Sequence, residues 1–347
     1  MNEINIDKAY QNALDYLYSF IDYSLTRMDR NMADKFDLSR VSKLLELLGN
    51  PHQQYRVIHV AGTKGKGSAS AMMASVLQKA GYRVGFYTSP HLIDFTERIR
   101  VDGETISREI FVSLIDEIKQ HVEKIANLTT FEITTVIGLW YFARQGVEVG
   151  VIEVGLGGRV DSTNVVDPIV SVITALSMDH ISVLGDTLAK IAFEKAGIIK
   201  PGRPIVLAPQ KEEARRVVER VAVERDAPLI QVGRDFMYAP WTHSLSGQSF
   251  LVWSVEEQPL VDDFIESGGR HQWEPLRFHI PLLGHHQVEN AAVAYTALQV
   301  ANQEGLHVSD EEIREGFADV FWPGRFETLR LSPPIIVDSA HNPDAAL

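Results

Sequence analysis

Apolar residues follow two patterns along the chain, and each pattern predicts one kind of element. Short continuous apolar runs predict buried strands at 55–60, 83–88, 149–154, 169–174 and 204–208. Between them, apolar residues three or four positions apart predict helices at 66–80, 107–126, 131–145, 187–197 and 210–225. Because strands alternate with helices, the pattern predicts an α/β fold with a largely parallel sheet covered on both faces.

Several regions depart from this alternation. The first fifty residues predict helices, and residues 228–282, which are rich in Trp, Ser, Gly and His, predict a small antiparallel section. A further helix is predicted from about 286 to 303, and the run Ser309-Asp-Glu-Glu312 has the form of a capping box that opens another. Residues 334–338 predict a new buried strand.

Composition narrows the class of protein. The chain has 347 residues, of which 45% are apolar and 23% charged, as is usual for a globular protein of about two domains. It contains no cysteine, which excludes disulfides and thiolate chemistry and favours the cytoplasm. No apolar run is long enough for a membrane span, and the acidic start of the chain lacks the apolar segment of an export signal.

The formal net charge of the chain is −13 at pH 7. A strongly negative protein repels other polyanions, so this charge argues against nucleic acid as a partner. It leaves nucleotides open as ligands, because one local cationic pocket is enough to bind a small anion.

A glycine-rich run, Gly62-Thr-Lys-Gly-Lys-Gly-Ser68, joins a predicted strand to a predicted helix. In that context the backbone can cradle a phosphate, Lys66 can reach the terminal phosphates, and the Ser68 hydroxyl can bind a divalent cation. The match to the phosphate-loop pattern is imperfect, because Val60 stands in the first glycine position and Gly67 separates the lysine from the serine. The alternative is a glycine-rich turn with two surface lysines, and the flanking strand and helix favour the phosphate loop.

Acidic and polar residues near other strands are candidates for a metal site. Magnesium takes oxygen ligands and is usually held by one or two carboxylates together with substrate phosphates. The candidates are Glu132, which lies in an otherwise apolar helix, Glu153, which ends a strand, and His180, which follows one. Ser68, Glu132 and a nucleotide would make one site. A second metal near His180 would need another anion, which Lys195 supplies only as a carbamate; otherwise Lys195 is an ordinary helix-surface lysine.

Four more runs carry weaker signals. The glycine-rich segment after Glu153 offers polar groups at the carboxyl end of a strand, where ligands bind in open parallel sheets. Near the start of the helix at about 286, Gln287 and Asn290 can hydrogen-bond the edge of a base. Arg325 in Trp322-Pro-Gly-Arg-Phe-Glu327 suits a phosphate, and Asp338-Ser-Ala-His-Asn-Pro343 follows the last predicted strand.

Taken in order, these runs resemble the folylpolyglutamate synthase and dihydrofolate synthase family of the Mur ligase superfamily. The resemblance runs from about residue 40 to 347. Besides the phosphate loop, its motifs are Thr88-Ser-Pro-His-Leu92, Glu153-Val-Gly-Leu-Gly-Gly-Arg-Val-Asp-Ser-Thr-Asn164, Asp179-His180, Leu184-Gly-Asp-Thr187, Glu194-Lys-Ala-Gly-Ile198, Trp322-Pro-Gly-Arg-Phe-Glu327 and Asp338-Ser-Ala-His-Asn-Pro343.

The resemblance implies roles for individual residues. Those implied to bind ATP are Gly62, Thr63, Lys64, Gly65, Lys66, Gly67, Ser68, Asn290, Arg325, Asp338 and His341. Ser68 and Glu132 are implied to hold a first magnesium ion, and His180 and a carbamylated Lys195 a second. The residues implied to carry catalysis are Lys66, His180 and Lys195. The mobile loop 88–95, followed by Arg98, is implied to form a pterin pocket, with folate or pteroate contacts from Ser89, Pro90, His91, Arg159 and Asp161.

The implied reaction is the ATP-dependent addition of L-glutamate to tetrahydrofolate, to dihydropteroate or to both, through an acyl phosphate. The resemblance implies ATP as a substrate, two Mg²⁺ sites and room for a monovalent cation as a further cofactor. It also implies a cytoplasmic monomer with small-molecule substrates and neither nucleic acid nor membrane as a partner.

The resemblance also implies a domain organisation. A P-loop domain like the Mur ligase central domain is expected over 1–304, and residues 305–347 are expected to begin a second, Rossmann-like α/β ligase domain. Because the family's second domain runs further, the chain is expected to end inside it, without the glutamate site, and a nucleotide-binding protein that is inactive for that reason is an alternative. A smaller departure is Ser339, which stands where the family has glycine.

Two alternatives stay open. A peptidoglycan ligase of the same superfamily carries a nucleotide-sugar domain before its phosphate loop, whereas only about sixty residues, which predict helices, precede it here. A nucleotide-binding protein without ligase activity is the other alternative. Release of ADP that depends on the substrates separates a ligase from a binding protein.

Overall fold

The computed structural model describes residues 3–20, 37–270 and 272–340. Its helices are α1 (Glu3–Tyr18), α2 (Leu38–Leu47), α3 (Lys66–Lys79), α4 (Arg108–Val122), α5 (Thr130–Arg144), α6 (Ile181–Leu184), α7 (Leu188–Ala196), α8 (Glu212–Glu224), α9 (Gln258–Glu266), α10 (His285–Gln303) and α11 (Asp310–Ala318). Its strands are β1 (Arg56–Ala61), β2 (Val84–Tyr87), β3 (Ile99–Val101), β4 (Glu104–Thr105), β5 (Val149–Glu153), β6 (Val170–Ile173), β7 (Ile205–Leu207), β8 (Leu229–Gln231), β9 (Phe236–Ser244), β10 (Gly247–Ser254), β11 (Leu276–Ile280), β12 (Glu327–Leu331) and β13 (Pro334–Val337).

The central sheet has eight strands in the order β4-β3-β2-β5-β1-β6-β7-β8. From β2 to β8 the neighbouring strands run parallel, which confirms the predicted parallel sheet. The edge formed by β3 and β4 is antiparallel, and the apolar pattern did not predict it because these strands have only three and two residues. Strand β1 lies between β5 and β6, so the loop that follows it opens at the middle of the sheet.

Helices cover both faces of this sheet. Along β1, Ile58 and Val60 pack in the core that contains α3 and α10, whereas Val57 packs in the core that contains α2, α4 and α5. Successive side chains of a strand point to opposite faces, so a strand buried on both faces is apolar nearly throughout. The uninterrupted apolar runs of the sequence follow from this burial.

The region 228–282 contains the predicted antiparallel sheet, in the order β11-β10-β9. Its first strand, β8, instead extends the parallel sheet by pairing with β7. Phe250 and Phe278 of the small sheet pack against Tyr295 of α10 and Phe317 of α11. The small sheet therefore closes one side of the main core.

The residues past 304 divide into two parts. Helix α11 begins with the predicted capping box and buries Ile313 and Phe317 in the core that contains α3. Strand β13 pairs with β12 in a separate hairpin, and its Ile335 and Ile336 side chains are 39% and 38% exposed. The expectation that 334–338 is a buried strand is therefore wrong for this hairpin.

The helices predicted for the first fifty residues are present at α1 and α2, and the intervening stretch 21–36 lies outside the described residues. Within the described ranges, none of the helices has the length and apolar character to span a bilayer.

Candidate nucleotide site and adjoining cleft

The loop between β1 and α3 needs glycine for two reasons. Gly62 and Gly65 have φ angles of 154° and 84°, which residues other than glycine rarely adopt. A Cβ atom at Gly62 would lie 1.8 Å from Thr174 Oγ1, and one at Gly65 would lie 2.0 Å from Asn290 Oδ1. The loop is therefore packed tightly between β6 and α10, and it leads directly into the first turn of α3.

Part of this loop is held by the segment after β6. The backbone N–H groups of Thr63 and Lys64 both donate to the Ala175 carbonyl, at 3.0 and 3.1 Å, and Thr63 Oγ1 donates to the Ser177 carbonyl at 3.2 Å. These two amides are thus used to fix the loop. The N–H groups at the start of a helix have no partner within the helix, so the start of α3 at Lys66 is where an anion finds free donors.

Lys66 faces a buried carboxylate. Its Nζ atom lies 3.9 Å from Oε1 of Glu153, the last residue of β5. The other oxygen of Glu153 accepts hydrogen bonds from the Thr88 hydroxyl and from the Ser89 N–H, the latter at 3.3 Å. Burial raises the pKa of Glu153, and the positive charge of Lys66 opposes this shift. A cation and a carboxylate therefore meet where β1 and β5 end.

Glu132 has a different role from the one that the sequence predicted. Its Oε2 atom accepts a hydrogen bond from the Thr129 N–H at 2.7 Å, and Thr129 Oγ1 accepts one from the Glu132 N–H in return. Its Oε1 atom lies 2.8 Å from Nη2 of Arg40, so the side chain also links α5 to α2. Both oxygens are engaged in a capping box and an ion pair, which is a structural role, and the assignment of Glu132 as a magnesium ligand stays a prediction.

Glu153 is a second candidate for a metal ligand, and it lies 3.9 Å from Lys66. Two signals were present: Thr129 and Glu132 have the spacing of a capping box, and Glu153 ends a strand, at the edge of the sheet where ligands bind. The carboxylate beside the phosphate loop is therefore the one at the end of β5.

Lys195 reaches the same loop from α7. It is 4% exposed, and its Nζ atom donates a hydrogen bond to the Gly62 carbonyl at 2.7 Å. Burial and the nearby charge of Lys66 lower the pKa of Lys195 to about 7. Its amine is therefore substantially neutral near pH 7, which an exposed lysine is not.

His180 is more exposed and lies next to Asp179. Its side chain is 58% exposed, with Nε2 3.9 Å from Asp179 Oδ2, and its N–H donates to Asp179 Oδ1 at 2.8 Å. Within the described ranges, histidine and acidic residues form no group of three or more that could hold a metal ion.

The nucleotide candidates from the last third of the chain approach the loop from α10 and the hairpin. Asn290 contacts Gly65 and donates from Nδ2 to Gln287 Oε1 at 3.1 Å. Asp338 accepts a hydrogen bond from the Phe326 N–H at 2.7 Å, which ties β13 to the turn that carries Arg325. His341 lies outside the described residues.

The predicted folate contacts separate into two groups. Pro90 and His91 line a cleft beside the turn, and His91 Nδ1 accepts a hydrogen bond from Arg98 Nε at 2.9 Å. Arg159 instead forms an ion pair, with its Nη2 atom 3.0 Å from Oε1 of Glu194. Buried Asp161 accepts a hydrogen bond from the Leu156 N–H at 2.8 Å. These last two side chains hold the glycine-rich loop after β5 in shape, and they are not part of the cleft.

The cleft, which we call the Trp322 cleft, runs between the loop after β2 and the turn before β12. Its lining includes Thr88, Pro90, His91, Arg100, Trp322 and Arg325. A Cβ atom at Gly67 would lie 3.0 Å from the Trp322 ring, so the cleft begins beside the first turn of α3. Sequence reasoning did not single out Arg100 or Trp322 for this position, because it is created by contacts between distant segments.

Comparison with known proteins identifies the family. The sequence model of the Mur ligase middle domain matches residues 60–298. A dihydrofolate synthase/folylpolyglutamate synthase of Bacillus subtilis is 39% identical over 341 residues, which cover 96% of this chain and 74% of that protein. The chain belongs to the folylpolyglutamate synthase/dihydrofolate synthase family.

Solved structures of the family agree with the fold. An FPGS–AMPPCP–folate complex is 36% identical, with a TM-score of 0.83, and the match covers 97% of this chain and 78% of that one. Mycobacterium tuberculosis folylpolyglutamate synthase in complex with ADP is 31% identical, with a TM-score of 0.82, over 98% of this chain and 72% of that one. The chain spans about three quarters of the length of these relatives.

Proposed function

We propose that the 62–68 loop binds the triphosphate of ATP and that the protein uses this ATP to join L-glutamate to a folate, to dihydropteroate or to both. As a member of its family, the chain is an ATP-dependent ligase. The observation that carries the site assignment is the meeting of Lys66, Glu153 and Lys195 at the loop between β1 and α3. Relatives solved with AMPPCP and folate support the two substrates.

The reaction needs activation because a carboxylate is a poor electrophile. A carboxylate oxygen of the acyl substrate attacks the γ-phosphorus of ATP, the bond from this phosphorus to the bridging oxygen breaks, and ADP leaves. The amine nitrogen of glutamate then attacks the acyl carbon, phosphate leaves from the tetrahedral intermediate, and the nitrogen loses a proton. The products are an amide, ADP and phosphate.

Phosphoryl transfer depends mainly on positioning and on neutralising charge. In this chain Lys66 supplies the positive charge, and the N–H groups at the start of α3 orient the phosphates. Asn290 packs against Gly65, and the charge of Arg325 opposes the rise that burial causes in the pKa of Glu153. These two residues complete the nucleotide side of the site. Thr63 and Lys64 contribute by fixing the loop through Ala175.

The side-chain oxygen atoms beside the 62–68 loop are of the kind that bind magnesium. Buried Ser68 and Glu153 would hold a first ion together with phosphate oxygens, which matches the way proteins usually bind Mg²⁺. The buried carboxylate of Glu153 also gains from a cation, because burial disfavours its charge. Bound there, the ion would neutralise charge on the phosphates. His180 and Lys195 as a carbamate would hold a second ion.

Lys195 is the group we expect to react with carbon dioxide. The neutral amine is the reactive form, so its lowered pKa favours attack on the carbon of CO₂, with formation of an N–C bond and loss of one proton. With ¹³C-bicarbonate, NMR should show a carbamate signal that persists in Lys190→Gln and disappears in Lys195→Gln. Lys190 is the control because it is an exposed lysine on the same helix. A wild-type spectrum without this signal would remove the carbamate.

The function itself is tested by following ADP release. Dihydropteroate and tetrahydrofolate are offered in parallel, each with and without L-glutamate, and the amide product is measured by mass spectrometry. We expect ADP release to require both the acyl substrate and glutamate. Release that is indifferent to both would indicate a nucleotide-binding protein without ligase activity, and a response to peptidoglycan precursors alone would indicate the other branch of the superfamily.

The domain organisation is also part of this proposal. Because α11 shares the core of α3, we place the boundary after α11 rather than at 305, and we assign the β12–β13 hairpin to the start of the second domain. The Ser75 hydroxyl, which donates to the Gly316 carbonyl at 2.7 Å, supports this choice. A cytoplasmic monomer with small-molecule substrates remains our expectation.

A further inference from the structure

Arg100 is an arginine in the Trp322 cleft that forms no ion pair with any described residue. Its guanidinium lies 5.7 Å from the centre of the Trp322 ring, and its Nε donates to the Glu97 carbonyl at 3.2 Å. Among the described residues, no carboxylate lies within ion-pair distance of it, although burial lowers its pKa. A partly buried charge of this kind is stabilised by an anion.

The acidic residues near Arg100 do not form an ion pair with it: the charges of Glu97 and Glu104 raise its pKa, but burial lowers it by more. Glu97 is the acidic residue that lines the cleft, and its two oxygens accept hydrogen bonds from the N–H groups of Leu92, Ile93 and Asp94 at 2.8, 3.0 and 2.7 Å. The other charged lining residue is Arg325, a second cation. The cleft is therefore an acceptor for an anionic group of a ligand.

The position of the cleft indicates where such a ligand comes from. Trp322 touches Gly67 in the first turn of α3 and also lies beneath Arg100. A molecule that presents one carboxylate to the phosphates near Lys66 can therefore extend along Trp322 and present a second carboxylate to Arg100. Arginine binds a planar carboxylate through two parallel hydrogen bonds.

We propose that Arg100 binds the carboxylate of a glutamylated folate that does not react. This inference rests on the proposed function. A folate that already carries a glutamate has two carboxylates on that residue, of which one is activated, whereas dihydropteroate has a single carboxylate, which must itself react. Arg100 is then a specificity residue that favours folates over dihydropteroate.

The test compares ligands on the full chain. Arg100→Met keeps an unbranched apolar stem and removes the guanidinium with its charge. Calorimetry in the presence of AMPPCP measures the affinity for each acyl substrate. We expect tetrahydrofolate to bind about 10- to 100-fold more weakly, as follows from losing hydrogen bonds to a charged group. Binding of dihydropteroate should change less than twofold, and Arg100→Lys should restore part of the loss.

The control variant is Arg83→Met. Arg83 is an exposed arginine next to the start of β2 that lies 3.7 Å from Asp102, away from the cleft, so both affinities should remain unchanged. A change in the ligand tests the same contact without altering the protein. Tetrahydrofolate whose non-reacting carboxylate is converted to an amide should bind the wild-type chain as weakly as unmodified tetrahydrofolate binds Arg100→Met. This ligand should be insensitive to Arg100→Met, since the partner of the arginine is already gone.

The following outcomes would contradict the inference. Equal weakening of both ligands would mean that Arg100 supports the cleft or binds a part that the ligands share. A loss confined to L-glutamate would assign the cleft to the amine substrate. If the wild-type chain binds dihydropteroate and the folate with equal affinity and Arg100→Met changes neither, the subsite fails while the proposed function stands; if it binds neither, both fail.

Discussion

Replacing Lys66 with alanine is expected to lower the rate of ATP-dependent glutamate addition by about 100-fold or more. Lys66 is the cation that opens α3 and faces the carboxylate at the end of β5, 3.9 Å away. Its removal leaves the transferring phosphoryl group without this charge and leaves Glu153 buried without its nearest lysine. Initial rates of product formation at saturating ATP measure the effect.

The matched control is Lys79→Ala. Lys79 ends the same helix, about 20 Å from Lys66 at 1.5 Å per residue, and forms a surface ion pair with Asp319 at 2.5 Å. We expect this variant to retain its rate, since exposed ion pairs contribute little. Near-normal turnover in Lys66→Ala would remove the phosphate cradle from the mechanism.

Replacing Glu153 with glutamine is expected to lower the rate by a similar factor, about 100-fold, and to raise the Mg²⁺ concentration needed for half-maximal rate. The substitution keeps the size of the side chain and removes the charge that would bind the cation. Because burial raises the pKa of Glu153, its charged form costs stability near neutral pH, and the variant should melt no lower than the wild type.

Glu148→Gln serves as the control for this variant. Glu148 immediately precedes β5, at the opposite end of the strand, and accepts a hydrogen bond from the Arg83 N–H at 2.8 Å. Its rate and its Mg²⁺ dependence should match those of the wild type. An unchanged Mg²⁺ dependence in Glu153→Gln would exclude Glu153 as a metal ligand.

Much of the fold can be predicted from the sequence because the buried strands are long enough to give a signal. Residues such as Ile58 and Val57 lie on opposite faces of β1 and are both buried, so the run is apolar at every position. The pattern fails where that condition fails, at the two-residue strand β4 and at the exposed strand β13.

The candidate site was predictable only where it is local. The 62–68 loop is one continuous segment with a strand before it and a helix after it, and its position was predicted from that context. The choice between Glu132 and Glu153 depends instead on Arg40, which is 92 residues from Glu132, and on Lys66. Contacts between residues so far apart leave no local pattern in the sequence.

The order of strands in the central sheet has a consequence for the nascent chain. β1 pairs with β5 at Arg56 and Val149 and with β6 at Ile58 and Val170, so it stays unpaired until roughly a hundred further residues have left the ribosome. Parallel pairing between distant segments is slow, because the chain between them must first close a large loop. During synthesis, the glycine-rich loop after β1 should therefore acquire affinity for nucleotide only once β6 has emerged.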